Sequence, residues 1–475
     1  MTTYIFDLGG VLINLDVERC MHAFEHLMGE ANMRAVLGMD SQGEGVKAVS
    51  VASKQLMADF ERGLITPETF VSEIMHYCRP GTTEQDILSA WMSMLADLPL
   101  EGLSFIDRLR EAGHPVYLLS NGNDLHFNFI NQTYSLEQHF DGLFLSQKMH
   151  LSKPEKAIFE AVQQTLLSTS PALTEQVVFI DDIASNRKAA ETFVNWKTFP
   201  SIEALVKHHR TRLTRLFHKA CADYQLIEDG DHILIGLSGG KDSLLLTELL
   251  GRRSKIYKPR FQVTALHVRV KERDYQTDLS YLESFCQQNG VPLIVRDVEI
   301  GENPTNKSGL SGTKSAGLSA QRSVSANGLS AQRSQTNPCF LCAWYRRKTL
   351  FNVAQELGCT KIAFGHHRDD VVQTLLMNLI YQGAFATMPP SLQMEKMPLR
   401  IIRPLCLIDE EDIRSYAAMQ NYAKQSKNCP FEHVSAREKV KDLLAQIKAL
   451  NPEAMDCIWA SMSNIKEQYL PQMIK

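Results

Sequence analysis

Apolar residues along this chain gather in short unbroken runs set between longer helical stretches. Tyr4-Ile5-Phe6, Val116-Tyr117-Leu118-Leu119 and Val177-Val178-Phe179-Ile180 lie in the first 203 residues; Ile233-Leu234-Ile235, Val263-Thr264-Ala265-Leu266 and Ile362-Ala363-Phe364 follow later. None alternates apolar with polar residues, so each predicts a strand buried on both faces, as in a parallel sheet. Residues 16–85, 204–228, 244–250 and 371–381 read as helical. Strand and helix alternate through both halves of the chain, which predicts an α/β fold made of two doubly wound parallel-sheet domains.

Length and charge sharpen the division. A chain of 475 residues exceeds one ordinary core. Its acidic excess falls in residues 1–218, whereas residues 219–475 are basic on balance, as suits a polyanion such as RNA. The 204–228 helix carries Lys207-His208-His209-Arg210 with Arg212 and Arg215, either a solvated basic face or an RNA contact. Residues 303–337 are dominated by Ser, Gly, Gln, Asn and Thr, and they repeat Gly-Leu-Ser-Ala-Gln-Arg-Ser at 317–323 and 328–334. Little there could fill a core, so a disordered insert is expected. The expected division is a domain at 1–203, a helix at 204–228 opening the second domain, and that domain at 229–475. No apolar span is long enough for a membrane helix, and Met1-Thr2-Thr3 leads directly into a strand-like run instead of a signal peptide. A cytoplasmic protein without a membrane partner is expected. Ten scattered cysteines read as reduced thiols with metal-ligand candidates among them. Cys286, Cys359, Cys406 and Cys457 stand singly beside apolar residues and are expected in the core.

The richest local signal is Ser238-Gly239-Gly240-Lys241-Asp242-Ser243, set between the run ending at Leu237 and the helix from Leu244. Two glycines at a strand-to-helix turn leave backbone N–H groups and the positive helix end aimed at one spot, which suits a pyrophosphate. His267 lies in the next strand, where nucleotide-binding sheets meet adenine and ribose. Gly365-His366-His367-Arg368-Asp369-Asp370 closes a third strand, and its paired carboxylates suit Mg²⁺ beside a polyphosphate or simply cap the following helix.

In the first half, Asp7 ends the first strand. Three further strand ends present Ser120-Asn121, Ser152-Lys153-Pro154 and Asp181-Asp182, so nucleophile, hydroxyl, lysine and acid recur in order. Residues 1–203 resemble the haloacid dehalogenase superfamily, with residues 16–85 as the cap. The resemblance implies Asp7 as phosphoryl nucleophile, Ser120, Asn121 and Lys153 as phosphate holders, Asp7 and Asp182 as Mg²⁺ ligands, and a phosphorylated small molecule as substrate. Gly9 occupies the position where such phosphatases carry a leaving-group acid, and Asn186 stands where a second metal-side acid often sits.

Pro338-Cys339-Phe340-Leu341-Cys342 offers two thiolates from a tight turn, and Cys429 is a distant third ligand. With His433 four residues on, the same cysteines could instead close a structural zinc site. Taken with Arg346-Arg347, Met388-Pro389-Pro390 and Arg403-Pro404-Leu405, residues 205–475 resemble the tRNA 2-thiocytidine synthetases, a family of PP-loop ATP pyrophosphatases. The resemblance implies ATP and Mg²⁺, with Ser238, Gly239, Gly240, Lys241, Ser243, His267 and Gly365 around the nucleotide and Asp242, Asp369 and Asp370 as catalytic acids. It further implies a [4Fe–4S] cluster on Cys339, Cys342 and Cys429, tRNA as substrate, a sulfur donor such as a cysteine desulfurase, and room for a homodimer. Two alternatives remain: lysidine-type tRNA modification, which needs no cysteine cluster, and a small-molecule phosphatase with an ATP- or RNA-binding sensor half.

Overall fold

The structure, a computed structural model, describes residues 2–36, 55–96, 99–270, 278–299, 338–423 and 436–470. The 303–337 insert, Cys429 and His433 lie outside the described residues. The chain divides into two units, Met1–Thr211 with Ala418–Asn421 and Arg212–Ala417 with Tyr422–Lys475.

The first unit holds strands β1 (Thr2–Phe6), β2 (Val116–Ser120), β3 (Gly142–Leu145), β4 (Gln176–Ile180) and β5 (Trp196–Phe199), ordered β3-β2-β1-β4-β5 and parallel throughout. Tyr4, Ile5 and Phe6 on central β1 are fully buried, as its unbroken apolar run predicts, and Asp7 emerges just past its carboxyl end. Helices Val17–Met28, Glu30–Val36, Pro67–Met75 and Glu84–Met92 form the insertion between β1 and β2. They share a core around Phe24, Phe60, Phe70 and Trp91. Thr83 and Asp86 make a reciprocal capping box that starts the last of these helices, so the insertion runs to Met92, beyond the expected end at 85.

The second unit holds β6 (His232–Gly236), β7 (Gln262–Val270), β8 (Leu293–Val298), β9 (Lys361–Ala363), β10 (Ser391–Gln393) and β11 (Arg400–Ile402), ordered β10-β11-β9-β6-β7-β8. One expectation needs correction: β10 pairs antiparallel with β11, so this sheet is mixed at its edge. Six residues separate the two strands, too few for the crossover that a parallel pair requires. The Lys241–Ser254 helix is buried from Ser243 to Gly251, so Leu244, Leu245, Leu246, Leu249 and Leu250 all enter the core. A continuous helix, Ile202–Asp223, opens this half, and the division between the units falls inside it.

Three local expectations also change. Lys153 does not end a strand; a short helix, Ser146–Met149, intervenes after β3. Cys339 and Cys342 lie within the first two turns of the Pro338–Glu356 helix and not in a tight turn. Proline is favoured at such a start because its missing N–H would have been unpaired anyway. Cys286, Cys359 and Cys406 are buried, but Cys457 is exposed, because its helix neighbours Ile458 and Trp459 take the inward face. No helix among the described residues is long and apolar enough to cross a membrane.

Candidate active sites

At the carboxyl edge of the first sheet, Lys153 has become the hub of a buried charge cluster. Its ammonium donates to the Leu119 carbonyl at 3.0 Å and to Asp181 at 2.7 Å, and it lies 2.9 Å from Asp7 Oδ1. Asn121 holds the lysine backbone at both ends, accepting from its N–H and donating to its carbonyl, each at 2.9 Å. Ser120 is buried beside them. Asp7, Asp181 and Asp182 place a carboxylate oxygen each within 4.8 Å of one another, a donor set of hard oxygens that fits Mg²⁺. Asp181 is the member that sequence reasoning missed. It is fully buried and accepts from Asn186 and from the Ile183 amide, so Asn186 orients an acid where a second acid was sought. Burial raises the Asp7 carboxyl well above the usual range; Lys153 opposes this and the neighbouring Asp181 adds to it.

In the second unit, the turn after β6 brings a cavity of about 510 Å³ together. Gly239 takes φ +82°, the left-handed conformation that lets the chain reverse into the helix. Ser243 donates to the Gly240 carbonyl at 2.9 Å and stands 3.1 Å from the Ser238 hydroxyl, which accepts from the Gly240 amide. A Cβ on Gly365 would sit 3.0 Å from the Asp242 carbonyl group and 3.2 Å from the Ser243 amide, so only glycine lets the β9 turn approach the loop unstrained. His267 donates from Nδ1 to the Leu237 carbonyl at 2.8 Å, which leaves Nε2 an acceptor on the cavity. Burial holds this imidazole below its ordinary pKa.

Ser238, Asp242, Ser243, His267, Gly365 and Asp370 all line this cavity, and Cys342, Arg346 and Arg347 line it from the Pro338–Glu356 helix. The nucleotide loop and one cysteine of the Cys-x-x-Cys pair therefore face the same space. Four expected residues, Gly239, Gly240, Lys241 and Asp369, are not in the lining, and the side chains of the last two point elsewhere. Asp369 is buried, accepts from the Glu410 amide at 2.8 Å and Lys448 at 2.9 Å, and does not line the cavity. Burial favours its neutral form, yet these partners prevail and hold its pKa below the usual value. Lys241 turns to Asp242 at 3.0 Å and Glu410 at 3.3 Å; burial is again outweighed, and the ammonium stays charged. Asp370 serves both readings offered for it: it caps the Arg368–Gln382 helix through the His367 amide at 3.1 Å and also faces the cavity. Sequence reasoning missed His366, which lines the cavity, and Arg437, which donates to Asp370 at 2.6 Å. The His366-His367 doublet was a visible signal; Arg437 stood in no motif.

Comparison with known proteins decides the family. Residues 206–316 match the PP-loop domain model and residues 1–193 the haloacid dehalogenase-like hydrolase model. Over 260 residues, 54% of this chain, the sequence is 31% identical to the tRNA-cytidine(32) 2-sulfurtransferase of Pseudomonas putida GB-1, covering 85% of that protein. It is 33% identical to that of Nitrosospira multiformis, covering 78% of it. The chain belongs to the tRNA-cytidine(32) 2-sulfurtransferase family. Among solved structures, the U34-tRNA thiolase NcsA of Methanococcus maripaludis with its [4Fe–4S] cluster aligns over 56% of this chain and 84% of that one, with 24% identity and a TM-score of 0.41. A haloacid dehalogenase family enzyme of Bacteroides thetaiotaomicron, in complex with magnesium and inorganic phosphate, aligns over 42% of this chain and 93% of that one, with 32% identity and a TM-score of 0.35. Within the 2-sulfurtransferase half, two sequence motifs prove to be one structural unit. Arg403 donates to the Pro389 carbonyl at 2.5 Å, and its amide to Pro390 at 2.8 Å.

Proposed function

We propose that this chain thiolates cytidine 32 of tRNA in its second unit and hydrolyses a phosphate ester in its first. The observation that carries the thiolation reading is the single cavity shared by the Ser238–Ser243 loop, Cys342 and Asp370. ATP is held with its pyrophosphate at the amides of Gly239 and Gly240 and the hydroxyls of Ser238 and Ser243, at the positive end of the Lys241–Ser254 helix. The cytidine O2 attacks the α-phosphorus, pyrophosphate departs, and the base oxygen becomes part of an AMP leaving group. Sulfur then bonds to C2 as AMP leaves with that oxygen. Asp242 and Asp370, which line the same cavity, would hold Mg²⁺ beside the phosphates, and His267, also in the lining, would meet the nucleoside. Cys342 lines this cavity, and with Cys339, three residues before it in sequence, and Cys429 it would supply the thiolates for a [4Fe–4S] cluster. Such a cluster, when bound, would supply the means of holding sulfur for transfer. A cysteine desulfurase as donor, a homodimeric state and a cytoplasmic location complete this reading.

In the first unit, Asp7 Oδ2 attacks the phosphorus of a phosphate ester, the ester P–O bond breaks and the alcohol departs, and water then cleaves the aspartyl-phosphate to release phosphate; Lys153 neutralises charge, and Asp7, Asp181 and Asp182 would hold Mg²⁺. Gly9 offers no acid, so leaving groups that depart without protonation are favoured.

The deciding experiment incubates anaerobically reconstituted protein with ATP, a persulfide donor and unmodified tRNA, followed by mass spectrometry of the nucleosides. We expect 2-thiocytidine, its loss in Cys342→Ala, and ATP affinity in that variant within about twofold of wild type. Cytidine modified with lysine, or 2-thiocytidine formed equally by Cys342→Ala, would defeat the proposal.

A further inference from the structure

Trp344 stands two residues after Cys342 and belongs to none of the apolar clusters among the described residues. A half-buried tryptophan outside every core calls for another explanation. A turn of 100° per residue places Cys342, Ala343, Arg346, Arg347 and Leu350 on the cavity face of the Pro338–Glu356 helix, as observed. Trp344 comes next around the circumference, three residues from Arg347 and four from Lys348, and both of those cations are exposed. Lys348 Nζ lies 5.0 Å from the indole centroid, and Tyr345 meets the ring edge-on with centroids 4.9 Å apart. Trp344 does not line the cavity itself; it stands beside Arg347, which does, and is flanked by two cations with no carboxylate among residues 342–350.

We infer that Trp344 is a stacking platform for an unpaired base of the RNA loop, adjacent to the base that enters the cavity. This rests on the tRNA reading above and adds the residues that grip the loop. A cytidine that reaches the Ser238–Ser243 loop must leave its stack, which strands a neighbour. An indole is a sequence-tolerant replacement for the lost stacking partner, and cations beside it match the flanking phosphates. Arg347 and Lys348 occupy that position.

The test measures binding of a labelled RNA hairpin with an unpaired loop, and of the same stem closed as a blunt duplex, to wild type, Trp344→Ala, Trp344→Phe and Lys348→Gln, with ATP affinity measured in parallel. Trp344→Ala should weaken hairpin binding roughly five- to 100-fold, the span of base–aromatic stacking. Its duplex binding, salt slope and ATP affinity should match wild type, and Trp344→Phe should stay within about threefold on the hairpin. Lys348→Gln should lower the slope of log affinity against log salt by about one. Hairpin binding unchanged in Trp344→Ala, or hairpin and duplex weakened equally, would overturn the platform alone. Failure of wild type to bind the hairpin would overturn the tRNA reading and this inference with it.

Discussion

Asn123 and His126 fix one another's hydrogen-bonding roles. Asn123 Oδ1 accepts from the His126 amide at 3.0 Å, so its Nδ2 faces His126 Nδ1 at 3.3 Å as a donor, and Nδ1 must be unprotonated. The proton sits on Nε2, which donates to the Trp91 carbonyl at 3.1 Å, while the two rings stack with centroids 5.0 Å apart. Burial lowers this histidine to about 4 from 6.5, and the Trp91 bond opposes it only in part. Between those values the unfolded chain binds the proton and the folded chain does not, so stability rises with pH through the window. The contribution is complete above about 6.5 and is lost as pH falls toward 4, at most about 3 kcal/mol. Thermal melts of wild type should steepen in loss below pH 6.5, and His126→Gln should flatten the dependence; an unchanged slope would refute the assignment. Asp181 teaches the matching lesson about the site. Two adjacent acids end β4, and which of them turns inward depends on Asn186 and Lys153, brought there by other parts of the chain. A linear sequence shows the pair but not the orientation.

At the scale of elements, the strands and the turns at their carboxyl ends were legible because each carries its cause locally: an unbroken apolar run, then glycine or acid at the carboxyl end. What was not legible depends on charge arriving from a distance. The Ala436–Leu450 helix reads as an ordinary amphipathic segment, yet it sends Arg437 to Asp370, Lys441 to Glu410 at 3.1 Å and Lys448 to Asp369. Three carboxylates on or beside the Arg368–Gln382 helix would otherwise repel one another near a polyphosphate site. Asp369 is the most dependent, because it is buried and Lys448 is its one charged hydrogen-bond donor among the described residues. Lys448→Met keeps the aliphatic packing and removes the cation, leaving a buried carboxylate hydrogen-bonded by the Glu410 amide with His367 Nδ1 at 3.8 Å. We expect a loss of about 2 kcal/mol in denaturant unfolding, below the figure for a fully buried pair because Lys448 is 41% exposed. Asp369→Asn in the same background should recover part of it. If Lys448→Met is as stable as wild type, Asp369 is held by its amide contact and the helix is not an electrostatic brace.

Over the whole molecule, each unit owns a complete set of strands, phosphate-facing groups and acids. Asp7, Lys153 and Asp181 belong to the first unit, whereas Ser238, Asp242 and Asp370 belong to the second. Among the described residues, the lining of the second cavity is drawn from the second unit, and the carboxylate cluster of the first is drawn from the first. Two sites that share no side chain should fail separately. Asp7→Asn keeps the side chain's shape and removes the proposed phosphoryl nucleophile, so it should abolish hydrolysis of an aryl phosphate while leaving tRNA thiolation unchanged. Asp242→Asn removes a carboxylate at the nucleotide loop and should do the reverse, lowering thiolation while leaving hydrolysis intact. Both activities are to be measured on one preparation, with melting curves to show that each variant remains folded. A fall in thiolation of more than about tenfold in Asp7→Asn, equivalent to about 1.4 kcal/mol of barrier, would mean that the first unit feeds or regulates the second. Separate chemistry would then be the wrong account of why one chain carries both.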